Sequence, residues 1–205
     1  MSQTINNGDA TSVAVPRTHA DLTGAIPITS DVNGLHNFST SSLTPGGSAG
    51  VFNYIAPSTL TMPAVYTAPI AAGTTLRWHI RMSKTAAGTG SFIVGIYMGT
   101  AGSISDTKEV SQSIGTATAA VDDVDLDIIA VFTSTTAFYW SIAATHSAAA
   151  GVGFGLAIGS QAFSGTVTGL TTTTASLKFG IAYSNTTGTA VITVPLVQAE
   201  ALGVS

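Results

Sequence analysis

From Val51 onward, apolar and polar residues alternate with a period of two. The clearest run is Thr75-Leu76-Arg77-Trp78-His79-Ile80-Arg81-Met82, with Leu76, Trp78, Ile80 and Met82 at one parity and Arg77, His79 and Arg81 at the other. Successive side chains of a strand point to opposite faces, so this run predicts a half-buried strand. Further strands are predicted over 51–55, 91–99, 123–133, 137–145, 152–160, 166–170, 176–184 and 190–198. Between them stand turn residues such as Ala101-Gly102 and Thr187-Gly188. About eight strands with this punctuation predict an all-β fold, an antiparallel sandwich or barrel. One turn of helix is expected near 105–110, where Ser105 or Asp106 could cap and Glu109 follows.

Residues 1–50 have a different texture. They are rich in Asn, Ser, Thr and Gly, are broken by Pro16, Pro27 and Pro45, and sustain neither period. We read them as an extended N-terminal arm ending at Pro45-Gly46-Gly47-Ser48-Ala49-Gly50, followed by a β domain over 51–205. Leu22, Ile26, Leu35 and Phe38 are apolar residues that a purely solvating tail would not need, which makes them candidate anchors on a partner. The run 151–159 alternates glycine or alanine with Val152, Phe154, Leu156 and Ile158. As a strand it would have one nearly bare face. Because glycine in a strand often marks the close approach of another backbone, Gly151, Gly153 and Gly155 are expected at a subunit or sheet contact.

Composition sharpens this picture. Only 8% of the 205 residues are charged, against about a quarter in an ordinary soluble domain. The hydrophobic share of 45% is ample for a core. A net charge of −4 and only six Lys plus Arg leave no basic stripe for nucleic acid. Weak charge also means little self-repulsion, which favours packing against other copies. The absence of cysteine excludes a disulfide scaffold and any thiolate metal site. No secretion signal is expected in Met1–Ser12, which lacks basic and apolar regions. No membrane insertion is expected either, since the uncharged stretch between Ile128 and Leu177 is repeatedly broken by Gly, Ser and Thr.

No residue set spells out a reaction, and neither catalytic residues nor a cofactor or metal site is expected. Gly46-Gly47-Ser48-Ala49-Gly50 matches a hydrolase nucleophile pattern, but the strand-to-helix context which that chemistry requires is missing. The four histidines have no ligand spacing. Asp122, Asp123, Asp125 and Asp127 are the densest charge. An EF-hand counted from Asp123 would place Ile128 and Ser134 where Gly and Glu are needed, so that loop is rejected. A calcium site shared with another loop or copy is the remaining metal option, and a paired-carboxylate glycosidase would need aromatic platforms the chain hardly has. As a strand, Asp123, Asp125 and Asp127 share one face, just as Arg77, His79 and Arg81 share another. The two triplets are expected to pair, across neighbouring strands or across a subunit boundary.

Several stretches resemble structural proteins of tailed-bacteriophage virions, the kind that decorate heads or form fibres. They are Thr67-Ala68-Pro69-Ile70-Ala71-Ala72-Gly73-Thr74-Thr75-Leu76-Arg77-Trp78, then Val94-Gly95-Ile96-Tyr97-Met98-Gly99-Thr100-Ala101-Gly102, then Thr118-Ala119-Ala120-Val121-Asp122. The resemblance spans about 55–202 and implies a jelly-roll-like β-sandwich, often trimeric, attached through an N-terminal segment, with no catalytic residues to carry over. The expected role is a non-enzymatic capsid decoration, cement or fibre component. Its expected partners are its own copies, as a homotrimer, and the major capsid, neck or tail proteins. It would be assembled in the host cytoplasm and reside in the virion. The alternative is a carbohydrate- or receptor-binding fibre tip, for which Tyr97, Tyr139 and Tyr183 are the candidate aromatics.

Overall fold

The computed structural model describes residues 34–40, 43, 49–62, 70–85, 87–146, 153–156, 160–172, 176–187 and 191–203. Eleven strands form two antiparallel sheets. They are β1 (Gly34–Ser39), β2 (Asn53–Tyr54), β3 (Leu60–Thr61), β4 (Thr75–Lys84), β5 (Gly90–Gly99), β6 (Thr107–Ala117), β7 (Asp122–Ser134), β8 (Ala137–His146), β9 (Ser160–Thr168), β10 (Lys178–Asn185) and β11 (Ile192–Leu202). One sheet has the order β1-β11-β4-β7-β8-β9, the other β2-β10-β5-β6, with β3 also on β10.

The pairing is nested: β1 with β11, β2 and β3 with β10, β4 with β7, and β5 with β6. A long hairpin rolled over two layers gives this pattern, which is the jelly roll. The β8–β9 hairpin is inserted between the two halves of that scheme and lengthens the six-stranded sheet beyond β7.

The alternation explains the layers. Leu76, Trp78, Ile80 and Met82 of β4, Val124, Leu126 and Ile128 of β7, and Phe138, Trp140 and Ile142 of β8 face inward. They meet Phe92, Val94, Ile96 and Met98 of β5 and Phe179, Ile181 and Tyr183 of β10. Each such side chain stabilises the fold by about 1.5–3 kcal/mol relative to exposure. Trp78 is tied down as well, its indole N–H donating to the Ser58 carbonyl at 2.8 Å. Pro195 sits where β11 slips register against β4, between Thr193 and Leu196, a position that needs no ladder N–H.

Three expectations need correction. The segment near 105–110 is not helical. The Asp106 carboxylate accepts the N–H groups of Ala101, Gly102 and Ser103 behind it, and β6 starts at the next residue. The run from Val152 to Ser160 is not one strand, because Gly153, Phe154 and Gly155 form a turn and β9 begins only at Ser160. The strand expected at 166–170 is the end of β9, which runs from Ser160 to Thr168. Within the segment read as an arm, Gly34–Ser39 is the edge strand of the six-stranded sheet, and Leu43 makes a bridge with Val194.

Candidate functional site

The two charged triplets meet inside one chain. Antiparallel pairing sets His79 of β4 opposite Asp127 of β7, Arg81 opposite Asp125 and Ser83 opposite Asp123. The His79 Nδ1 lies 3.0 Å from Asp127 Oδ1, and the Arg81 guanidinium lies 3.6 Å from Asp123 Oδ2. Ser83 donates its hydroxyl to the same Asp123 carboxylate. Arg77 turns the other way, to Glu200 of β11 at 3.8 Å. The result is a ladder of ionic and polar contacts on the outer face of β11, β4 and β7. Its side chains are about a third to a half exposed, so each pair is worth about 0–1 kcal/mol. Among the described residues, no group of three or more carboxylates or histidines is placed to hold a metal ion.

A second cluster lies under the end of the same sheet, buried. Lys84 continues the inward parity of Leu76 through Met82, Asp122 that of Val124 through Ile128, and His146 that of Phe138 through Ala144. Lys84 and Asp122 are directly opposite each other in the β4–β7 pair. The Lys84 ammonium donates to the carbonyls of Thr118 (2.6 Å), Ala120 (3.1 Å) and Thr85 (3.1 Å). Asp122 Oδ2 lies 3.1 Å from His146 Nδ1 and accepts the Phe154 N–H at 3.0 Å. Burial holds the Lys84 pKa below the usual lysine value, while the Asp122 charge opposes that shift.

This cluster fixes two loops, 118–120 and 153–154, against the strand ends. Sequence reasoning grouped Asp122 with the acidic cluster and took His146 as one of four histidines without ligand spacing, and did not bring either together with Lys84. The parity of each strand was the available signal, because all three residues stand in core positions of their runs.

The glycine segment belongs to this end. Gly153 and Gly155 have φ of +65° and +80°, a backbone region that L side chains rarely adopt. A Cβ on Gly153 would run into the Asp122 carboxylate, and one on Gly155 into the Thr116 backbone. The close approach expected of these glycines is therefore made within the chain, in a turn that buries Phe154 and Leu156. Gly151 lies outside the described residues.

The anchor candidates divide in the same way. Leu22 and Ile26 lie outside the described residues. Leu35 is in β1, in register with Ala201, and Phe38 is 59% exposed on that edge strand. Of the three tyrosines considered for a sugar-binding tip, two are buried. Tyr183 is in the core stacked on Phe92. Tyr97 lies on the outer face of β5 beneath Phe52 and Tyr54, with Lys108 over the Phe52 ring at 4.2 Å. Tyr139 alone is exposed, on the outer face of β8, so the three form no aromatic platform.

The inserted hairpin carries little chemistry. Apart from the buried His146, β8 and β9 contain no ionisable group other than the Tyr139 phenol. The exposed positions of β9 are Ser160, Ala162, Ser164, Thr166 and Thr168.

No family model and no curated protein sequence matches the chain. Among solved structures it is similar to a chain in the structure of the infectious bursal disease virus Gx strain. That match has 13% identity and a TM-score of 0.23, and covers 84% of this chain and 40% of that one. The chain thus spans less than half the length of that neighbour, and a likeness this faint carries no argument about the site.

Proposed function

We propose that this protein is a non-enzymatic structural component of a virion, of the bacteriophage decoration, cement or fibre kind, that associates with its own copies. The observation that carries the reading is where the charge lies. The exposed ion pairs on β11, β4 and β7 are satisfied within the chain, and the β8–β9 hairpin presents backbone, hydroxyl and methyl groups instead of charge. A surface of this kind opposes close packing little, since few ions must be desolvated when it is covered. The jelly roll supports the reading by analogy of fold alone.

Attachment to the particle would use the residues preceding β1. An extended segment gains affinity by adding backbone hydrogen bonds and burying apolar anchors, here Leu22 and Ile26. Since β1 belongs to the sheet, the informative truncation removes residues 1–33 and keeps Gly34. Particles of the virus that encodes the chain should contain it by mass spectrometry. The truncated chain should remain folded by circular dichroism and fail to cosediment with capsids. Purified particles lacking the protein would overturn the virion assignment. A truncated chain that still cosediments would overturn the attachment mechanism.

A further inference from the structure

Among the described residues the open edge of β9 is the longest that carries no charge, β1 at the opposite edge of the same sheet having only six residues. A sheet edge offers a row of unpaired N–H and C=O groups, and proteins normally blunt it with charge, proline, bulges or brevity. The β2 and β3 edges are two residues long each. The β6 edge carries Lys108 and Glu109 and slips register twice against β5. The β9 strand, Ser-Gln-Ala-Phe-Ser-Gly-Thr-Val-Thr, runs nine residues with no charge and no proline, and pairs with β8 without a register shift. Among the described residues nothing hydrogen-bonds to its far side. Its inward side chains are only half covered there, Phe163 and Val167 being partly buried against the core.

We infer that β9 is a self-association edge, which pairs antiparallel with β9 of a second copy across a two-fold axis at Ser164. This inference does not rest on the virion reading. Paired strands must keep corresponding side chains on the same face, so a two-fold pairing of identical strands has to centre on a residue. Centring on Ser164 uses the whole strand. Ser160 then faces Thr168 of the other copy, Gln161 faces Val167, Ala162 faces Thr166 and Phe163 faces Gly165. Phe163 and Val167, half-covered in one chain, gain their missing neighbours.

A second copy fits better than a foreign strand because the two-fold axis sets Ser164 against its own counterpart and every other position against another uncharged residue of the same strand. A two-fold interface tolerates no like charges near its axis, and this strand has none. The two six-stranded sheets would become one continuous sheet, in place of the three-fold association that the resemblance implies.

The test uses the full chain in sedimentation over a dilution series. The wild type should be a dimer that dissociates on dilution. Ala162→Lys with Thr166→Lys places like charges opposite one another twice and should raise the dimer Kd by about a hundredfold or more. Ala162→Lys with Thr166→Glu alters the same two exposed positions, but sets opposite charges face to face and should restore the dimer. The chain has no cysteine of its own, so Ser164→Cys should oxidise to a covalent dimer while Ser160→Cys should not. A wild-type monomer or trimer, equal dissociation constants for the two charge variants, or equal crosslinking at 160 and 164 would each overturn the inference.

Discussion

Replacing Lys84 with methionine removes the cation from the buried Lys84–Asp122–His146 cluster while keeping most of its volume. Three main-chain carbonyls, those of Thr118, Ala120 and Thr85, lose their donor. Asp122 loses the positive charge set opposite it in the strand pair, and its own side chain is fully buried. Breaking a buried charge pair from one side costs about 3–5 kcal/mol, because Asp122 keeps its contacts to His146 and the Phe154 N–H but loses the cation opposite it. For a chain of this length each kcal/mol moves Tm by about 2–4 °C, so the expected fall is roughly 6–20 °C. Urea unfolding followed by tryptophan fluorescence measures the free energy directly. The double variant Lys84→Met with Asp122→Asn should lose less than the sum of the two single variants, since an amide oxygen can still accept from Phe154 without leaving a charge. The coupling should fall within the roughly 0.5–3 kcal/mol typical of neighbouring groups. Hydrogen exchange at the Phe154 amide, which Asp122 holds, should accelerate in both single variants. A loss below about 0.5 kcal/mol, the size of an ordinary surface change, would refute the claim that this cluster clamps the end of the sandwich. Strict additivity of the two substitutions would refute it equally.

Burial pushes the Tyr183 phenol up to about 12 from an ordinary value of 10.0. The folded chain keeps a proton that the unfolded chain releases, so this contribution is complete below pH 10 and is lost as pH rises towards 12. At 1.36 kcal/mol per unit the loss is on the order of 3 kcal/mol, and alkaline urea titrations of Tyr183→Phe should lack that part of the slope. Gly155→Ala combines a φ of +80° with a Cβ driven into the Thr116 backbone. It should destabilise the fold by more than the 0.4–1 kcal/mol range of ordinary Gly–Ala effects, as read by thermal unfolding, whereas alanine at Gly50, whose surroundings are open, should pay only for its φ. The exposed ladder should be weak: Arg81→Ala should cost at most about 1 kcal/mol, and added salt should shrink that difference.

The sheets were legible wherever one face of a strand is dry and the other wet. β4, β7 and β8 place an apolar residue at every second position up to the end that holds Lys84, Asp122 and His146, and their predicted bounds fall within two residues of those observed. β6 was not legible for a physical reason. Its two register shifts against β5 insert extra residues, so its buried apolar side chains, Val110 and Ile114, stand four apart, the spacing of a helix. The 153–155 segment alternates like a strand, but glycines at positive φ turn it instead, and one sequence does not announce that sign. Strand parity put the two triplets on single faces but left open pairing between strands or across a subunit boundary, and the structure pairs His79 and Arg81 within the chain while turning Arg77 to Glu200. Parity also held the message that the Lys84 cluster is internal. Lysine and aspartate are so seldom buried that composition overrode position.

The register also separates the two contacts proposed for this chain. β1 and β9 are the two opposite edges of the six-stranded sheet. Gly34, where the leading residues join β1, is in register with Leu202 of β11, which faces Thr75 of β4, which faces Val131 of β7. The chain therefore enters the sandwich at the far end from Lys84, with four strands between it and β9. Attachment through residues 1–33 and pairing through β9 thus draw on surfaces that share no residue and compete for no backbone group. Removing 1–33 should abolish capsid cosedimentation and leave the dimer constant unchanged. The doubly lysine-substituted β9 should do the reverse, with intrinsic particle binding retained and only the gain from linked attachment points lost. If one lesion removed both properties, the two contacts would have to be a single interface, and a sheet with independent edges would be the wrong description of how this jelly roll associates.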